Sequence, residues 1–172
     1  MPIYALGDLV PEIHPDAFVH PEAVIIGDVR IGAFSSVWPS AVLRGDDGGI
    51  VVGEGTSVQD GVIVHTWIEH PTRIGSRCVI GHLAHLEGCI VEDDCLIGSG
   101  AIVLRRAIVE TKSLVGAGAL VPPGKRVPSG AQAVGVPVVI KEGKADANDI
   151  ADSANRYVAR VSWYKAGLRL IG

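Results

Sequence analysis

The chain is short of aromatic side chains, which make up 5% of its residues, and it has a single methionine. A core for 172 residues must therefore be built from Val, Ile, Leu and Ala, which suits one domain of regular, stacked architecture. Charge of one sign is also scarce: the net charge is -4, which argues against a general affinity for nucleic acid or for an anionic membrane. No apolar run approaches the roughly eighteen residues of a membrane span. The opening MPIYALGDLVPEIHP lacks the basic start and long apolar stretch of a signal peptide, so the expectation is a soluble cytoplasmic protein. Cysteine is limited to Cys78, Cys89 and Cys95, an odd number with no CxxC, which fits reduced thiols better than a disulfide framework or a cysteine zinc site.

What is present is a six-residue period. Aliphatic residues recur at Ile13, Val19, Ile25, Ile31, Val37 and Leu43. After the insertion in RGDDGGIV the period resumes at Val52, Val58 and Val64, and after WIEHPT at Ile74, Ile80 and Leu86. It then runs from Val91 through Ile97, Val103, Val109, Val115 and Val121 to Val127. The residue four positions after the aliphatic one (i+4) is usually small, as at Ala17, Ala23, Ala41, Cys78, Ala84, Cys95 and Ala101. In a strand both positions point to the same face, into a narrow interior, with glycine or an acid at i+1 or i+2 where the chain turns. Such hexapeptides read as an all-β solenoid, a parallel β-helix whose coils take about eighteen residues. This domain spans 1–140. In 141–172 a linker leads to a C-terminal α-helix with Ile150, Ala154, Tyr157, Val158, Val161, Trp163 and Tyr164 on its apolar stripe and Gly167 as a stop, expected to pack along the prism.

The stretch GHLAHLEGC gathers His82, His85 and Glu87. His65 and Glu87 are 22 residues apart, and four of these belong to the WIEHPT insertion, which leaves one coil. Both follow an aliphatic position directly, so they face outward and stack about 5 Å apart on adjacent coils, a spacing suited to metal ligands. His82 lies near a corner and projects elsewhere; a threefold association would let it meet His65 and Glu87 of a neighbouring copy. His85 is the alternative third ligand. Asp47 and Glu69, beside the two insertions, are acids placed where they could help proton transfer, and His14, His20 and His70 read as solvated turn residues.

The motifs SVWPSAVLRGD, VQDGVIVHT, IGHLAHLEGC, VGAGALVPPGKRVPSG, GVP and SANRYV resemble those of the gamma-class carbonic anhydrases and their homologues. The resemblance implies a left-handed β-helix homotrimer with metal sites shared between subunits, holding Zn2+, Fe2+ or Co2+, where activated water attacks CO2 to give bicarbonate. It implies His65 and His82 as ligands, with Glu87 standing where the family has a third histidine. It implies Arg44 and Asp46 at the interface and bicarbonate site, Asp60 as the acid pairing with that arginine, Gln59 beside the metal-bound solvent, and Asn155 and Tyr157 near the pocket. Two histidines and one carboxylate still make a catalytic site, but the carboxylate offsets part of the metal's charge and should weaken activity. The alternatives are a non-catalytic trimeric protein that binds a metal or small ligand, and a hexapeptide acyltransferase, which shares the repeat.

Overall fold

A computed structural model describes residues 2–172, and it forms a left-handed parallel β-helix of about seven turns followed by one helix. Two-residue strands alternate with turns along most of the chain, and each pairs in parallel with its counterpart one coil away. One interior ladder runs Ile25, Leu43, Val64, Leu86, Val103 and Val121, every step a direct backbone partner, and all six are buried. The interior is thus filled by aliphatic side chains with Ala and Cys between them, and the shortage of aromatics is a consequence of its width.

The sharp corners need backbone in the left-handed region. It recurs three residues after the aliphatic position, at Gly55, Gly61, Gly100 and Gly118 and also at Phe34, Arg77, Leu83 and Arg106. The sequence reading puts the turn glycines one or two residues after that position; several glycines there have a different reason. A Cβ on Gly53 would stand 2.5 Å from the carbonyl carbon of Gly75 on the next coil, so the coils can stack closely only without a side chain.

The prism has three faces. Strands Ile63–His65, His85–Glu87, Ile102–Val103 and Leu120–Val121 form the first, with the beginning of the long strand Val42–Val52. That strand bends through RGDDGG onto another face, with Thr72–Ile74, Ile90–Val91, Ile108–Val109 and Arg126–Val127. The last face runs from Phe18–Val19 to Gln132–Val134 and is closed by an antiparallel strand, Val139–Lys141, which covers its open edge.

The helix α1 (Ala147–Gly167) starts where Asp146 accepts hydrogen bonds from the backbone N–H groups of Asn148 and Asp149, and it lies across this last face. Half of the chain's aromatic residues meet at this contact, with Trp38 within 5.5 Å of the rings of Phe18, Tyr157 and Tyr164. The Trp38 indole N–H is satisfied by the hydroxyls of Ser36 and Ser57. Ile150, Ala154 and Val161 are buried as the periodicity requires, but Trp163 is 67% exposed and does not belong to the apolar stripe. No helix among the described residues is long and apolar enough to cross a membrane.

The three thiols are free and buried. Burial pushes Cys89 up to about 12, and the neighbouring Cys95 thiol together with burial raises Cys78 as well. All three act as small core residues.

Candidate metal centre

The parallel ladder makes Glu87 the direct backbone partner of His65, and Arg44 is the partner of His65 on the preceding coil. Three consecutive coils therefore present Arg44, His65 and Glu87 in a row on the first face. The last two coils are tied together by Thr72, whose hydroxyl donates to the His65 carbonyl at 2.5 Å and accepts from the Gly88 N–H at 2.8 Å.

The side chains follow from this register. The Nδ1 atom of His65 lies 3.8 Å from Oε2 of Glu87, and its Nε2 lies 3.1 Å from Oδ1 of Asp46. Asp46 is in turn paired with the Arg44 guanidinium. Burial works against the Asp46 carboxylate, but Arg44, a backbone N–H and His65 more than offset it, so its pKa falls below the ordinary value. His85 also reaches Glu87, with 3.7 Å between its Nε2 and the same carboxylate oxygen.

His82 is held apart, at the corner. Its backbone N–H donates to the Gln59 side-chain carbonyl oxygen at 3.2 Å, and its Nδ1 lies 2.8 Å from Oδ2 of Asp60. Asp60 therefore contacts His82, and the Arg44–Asp60 pair implied by the resemblance does not form within one chain, because Arg44 is taken by Asp46. Gln59 is buried, while Tyr157 is half-buried and lines, with Gln59 and His82, a groove of about 570 Å³ floored by Gly81, Gly98 and Gly116. Asn155 is exposed on α1.

Within one chain, then, His65 and Glu87 meet while His82 does not join them. Among the described residues, the set of three whose ligating atoms all lie within 4.8 Å of one another is Asp46, Asp47 and His65. The sequence reading places the first, through the resemblance, at the interface and bicarbonate site, and offers the second for proton transfer. The signal for grouping them lies in RGDD, where the strand turns the corner just before the histidine coil.

Three carboxyls on the prism titrate below their ordinary values of 3.8 for Asp and 4.5 for Glu: Asp46, Asp94 through its hydrogen bonds to Arg77, and Glu110 through those to Arg126. A depressed folded pKa stabilises the fold fully above the unfolded value and loses that contribution as pH falls through the folded one. The urea midpoint is therefore expected to hold down to about pH 5 and to drop below about pH 4. A midpoint unchanged at pH 3 would contradict these pairings.

A solenoid with this register is a hexapeptide-repeat architecture, and comparison with known proteins agrees. No family model matches the chain. A hexapeptide transferase family protein from Anaplasma phagocytophilum superposes with a TM-score of 0.90 at 36% identity, over 95% of this chain and 98% of that one. A candidate acetyltransferase from Bacillus cereus does so with a TM-score of 0.90 at 32% identity, over 95% and 96%. The chain belongs to the hexapeptide-repeat family of left-handed β-helix proteins. It is also 45% identical over 102 residues to the carnitine operon protein CaiE of Escherichia coli, a match to 59% of this chain that spans about half (52%) of that relative's length.

Proposed function

We propose that the chain is a metalloprotein similar to the gamma-class carbonic anhydrases, assembling as a homotrimer and hydrating CO2 to bicarbonate at its subunit interfaces. The observation that carries this reading is that His65 and His82 each present one ring nitrogen to a carboxylate, Asp46 and Asp60 respectively. Metal-ligating histidines commonly donate their second N–H in this way, which fixes the tautomer and leaves the other nitrogen as a lone-pair donor. With the Nε2–H of His65 donating to Asp46, its Nδ1 and the Glu87 carboxylate face each other at 3.8 Å as two acceptors. Their separation is near the ligand-to-ligand distance of about 3.4 Å expected for bonds of about 2.0–2.1 Å in a tetrahedral site. The residues present therefore fit a Zn2+, Fe2+ or Co2+ ion, with His65 and Glu87 from one chain and His82 from a neighbouring copy.

A divalent ion in such a site supplies a Lewis acid that makes water nucleophilic near neutral pH. Arg44 holds Asp46 and places positive charge where bicarbonate forms. Gln59 fixes His82 and is left with an amide N–H2 to orient a reacting oxygen. Association about a threefold axis is supported by the first face itself, where Ile63 and Ile102 are each 39% exposed in an outward row that no helix covers.

A second reading is favoured by the descriptions of the Anaplasma phagocytophilum and Bacillus cereus proteins as transferases. On that reading an acyl thioester lies in the groove beside Gln59 and Tyr157. Stopped-flow CO2 hydration on anaerobically prepared protein loaded with Zn, Co or Fe, with metal content and oligomeric mass from the same samples, separates the two. The expected result is a trimer with about one ion per chain and turnover above buffer. Acetyl-CoA consumption by metal-free protein would transfer the assignment to the second reading.

A further inference from the structure

The guanidinium groups of the prism are not treated alike. Arg30, Arg44, Arg77 and Arg126 each stand against a carboxylate. Arg73 and Arg106 have no carboxylate within 4.0 Å among the described residues, yet they line one cavity of about 290 Å³ together with Glu69, His70, Gly88 and Ile108. Two cations in one cleft repel each other, and Glu69, the one acid in its lining, pairs with neither arginine, so the cleft keeps a net positive charge that favours an anion.

The backbone fixes both arginines there. Arg73 is an outward position of the strand Thr72–Ile74. Arg106 occupies a coil corner at φ 62, pinned by its N–H donating to the Gly88 carbonyl at 2.7 Å. The inserted turn also contributes: Trp67 and His70 form an antiparallel bridge, and His70 is among the lining residues. Arg105, 5.1 Å from the centre of the Trp67 ring, holds that turn down and adds a third positive group nearby.

We infer that the Arg73–Arg106–His70 cavity is a binding site for a small tetrahedral oxyanion, a free phosphate or a terminal phosphoryl group. Two exposed guanidinium groups and an imidazole on one cleft can each donate to such an ion, and Glu69 among the lining residues limits the charge it accepts. The cavity shares no lining residue with the row of Arg44, His65 and Glu87, so it is distinct from the candidate metal centre and stands or falls without it. The Thr72 hydroxyl connects the two through His65 and Gly88, so turnover would respond to both and the test must read binding directly.

The experiment is titration of the metal-loaded full chain with orthophosphate and, in parallel, with glycerol phosphate, by calorimetry and 31P NMR at low ionic strength. Arg106→Gly and Arg73→Gln are the variants. Glycine suits the left-handed corner, so Arg106→Gly removes the guanidinium with no backbone penalty. The expected result is saturable binding with a Kd of about 1 mM or below. It should weaken at least about tenfold in either variant and fall as salt is raised, because the contact is charge-assisted. Tighter binding of orthophosphate identifies the free ion as the ligand, and tighter binding of glycerol phosphate a phosphoryl ester. No saturation by either, or equal affinity in wild type and both variants, overturns the site.

Discussion

Replacing Glu87 with His is expected to raise CO2 hydration at pH 7 by about tenfold, whereas His65→Ala removes bound metal and takes turnover to the buffer rate. The first effect follows from charge. Glu87 contributes an anion, and Asp46 adds a second behind His65. Both lower the net positive charge available to acidify water, and each unit by which that water's pKa falls toward neutrality increases the reactive fraction about tenfold. The second effect follows from position. His65 alone touches both carboxylates, so losing it removes a ligand together with the side chain that links Asp46 to Glu87. Metal affinity should fall by more than the roughly 10–100-fold typical of losing a supporting hydrogen bond. The pair is checked by stopped flow with metal content measured in the same preparations. A Glu87→His protein no faster than wild type, at equal metal content, would show that the carboxylate is not what limits the reaction.

Leu86→Ala is expected to destabilise the fold by about 2–5 kcal/mol, the cost of an unfilled cavity in a rigid core. Leu86 is fully buried between Val64 and Val103, in a ladder one side chain wide. Coils contact only their neighbours, so a void at one level cannot be closed by rearrangement elsewhere. His85 and Glu87 flank Leu86 and point to the opposite side of the strand, so the same substitution should weaken metal binding without touching a ligand. Urea midpoint and metal affinity are the two measurements. A midpoint shift worth less than about 1 kcal/mol would mean that the interior is looser than its burial indicates.

The aliphatic positions are legible in the sequence because each coil repeats the same demand: a buried aliphatic residue, then a small one, at a fixed interval. The partnership of His65 with Glu87 is legible for the same reason, since counting along a regular ladder is equivalent to measuring across it. Asp46 is not legible in its role. It lies where the strand Val42–Val52 leaves the repeat to turn a corner, and counting fails where the period is broken. Trp163 is misread because helical spacing cannot tell an apolar residue that meets Trp38 from its neighbour on the solvent side; Tyr164 makes that contact, with its ring 4.8 Å from Trp38. The left-handed corners at Phe34, Arg77, Leu83 and Arg106 carry no glycine to announce them, and only the repeat's geometry imposes them.

The central claim is that one metal site is divided between two copies of the chain, and complementation tests it most directly. His65→Ala and His82→Ala are prepared separately and then co-assembled. In a mixed ring of three, one interface pairs an intact His65 and Glu87 with an intact His82, so mixed trimers should recover up to one bound ion and a matching fraction of turnover, while each variant alone recovers none. If the mixed assemblies bind no more metal than the separate variants, the division of the site between subunits is contradicted.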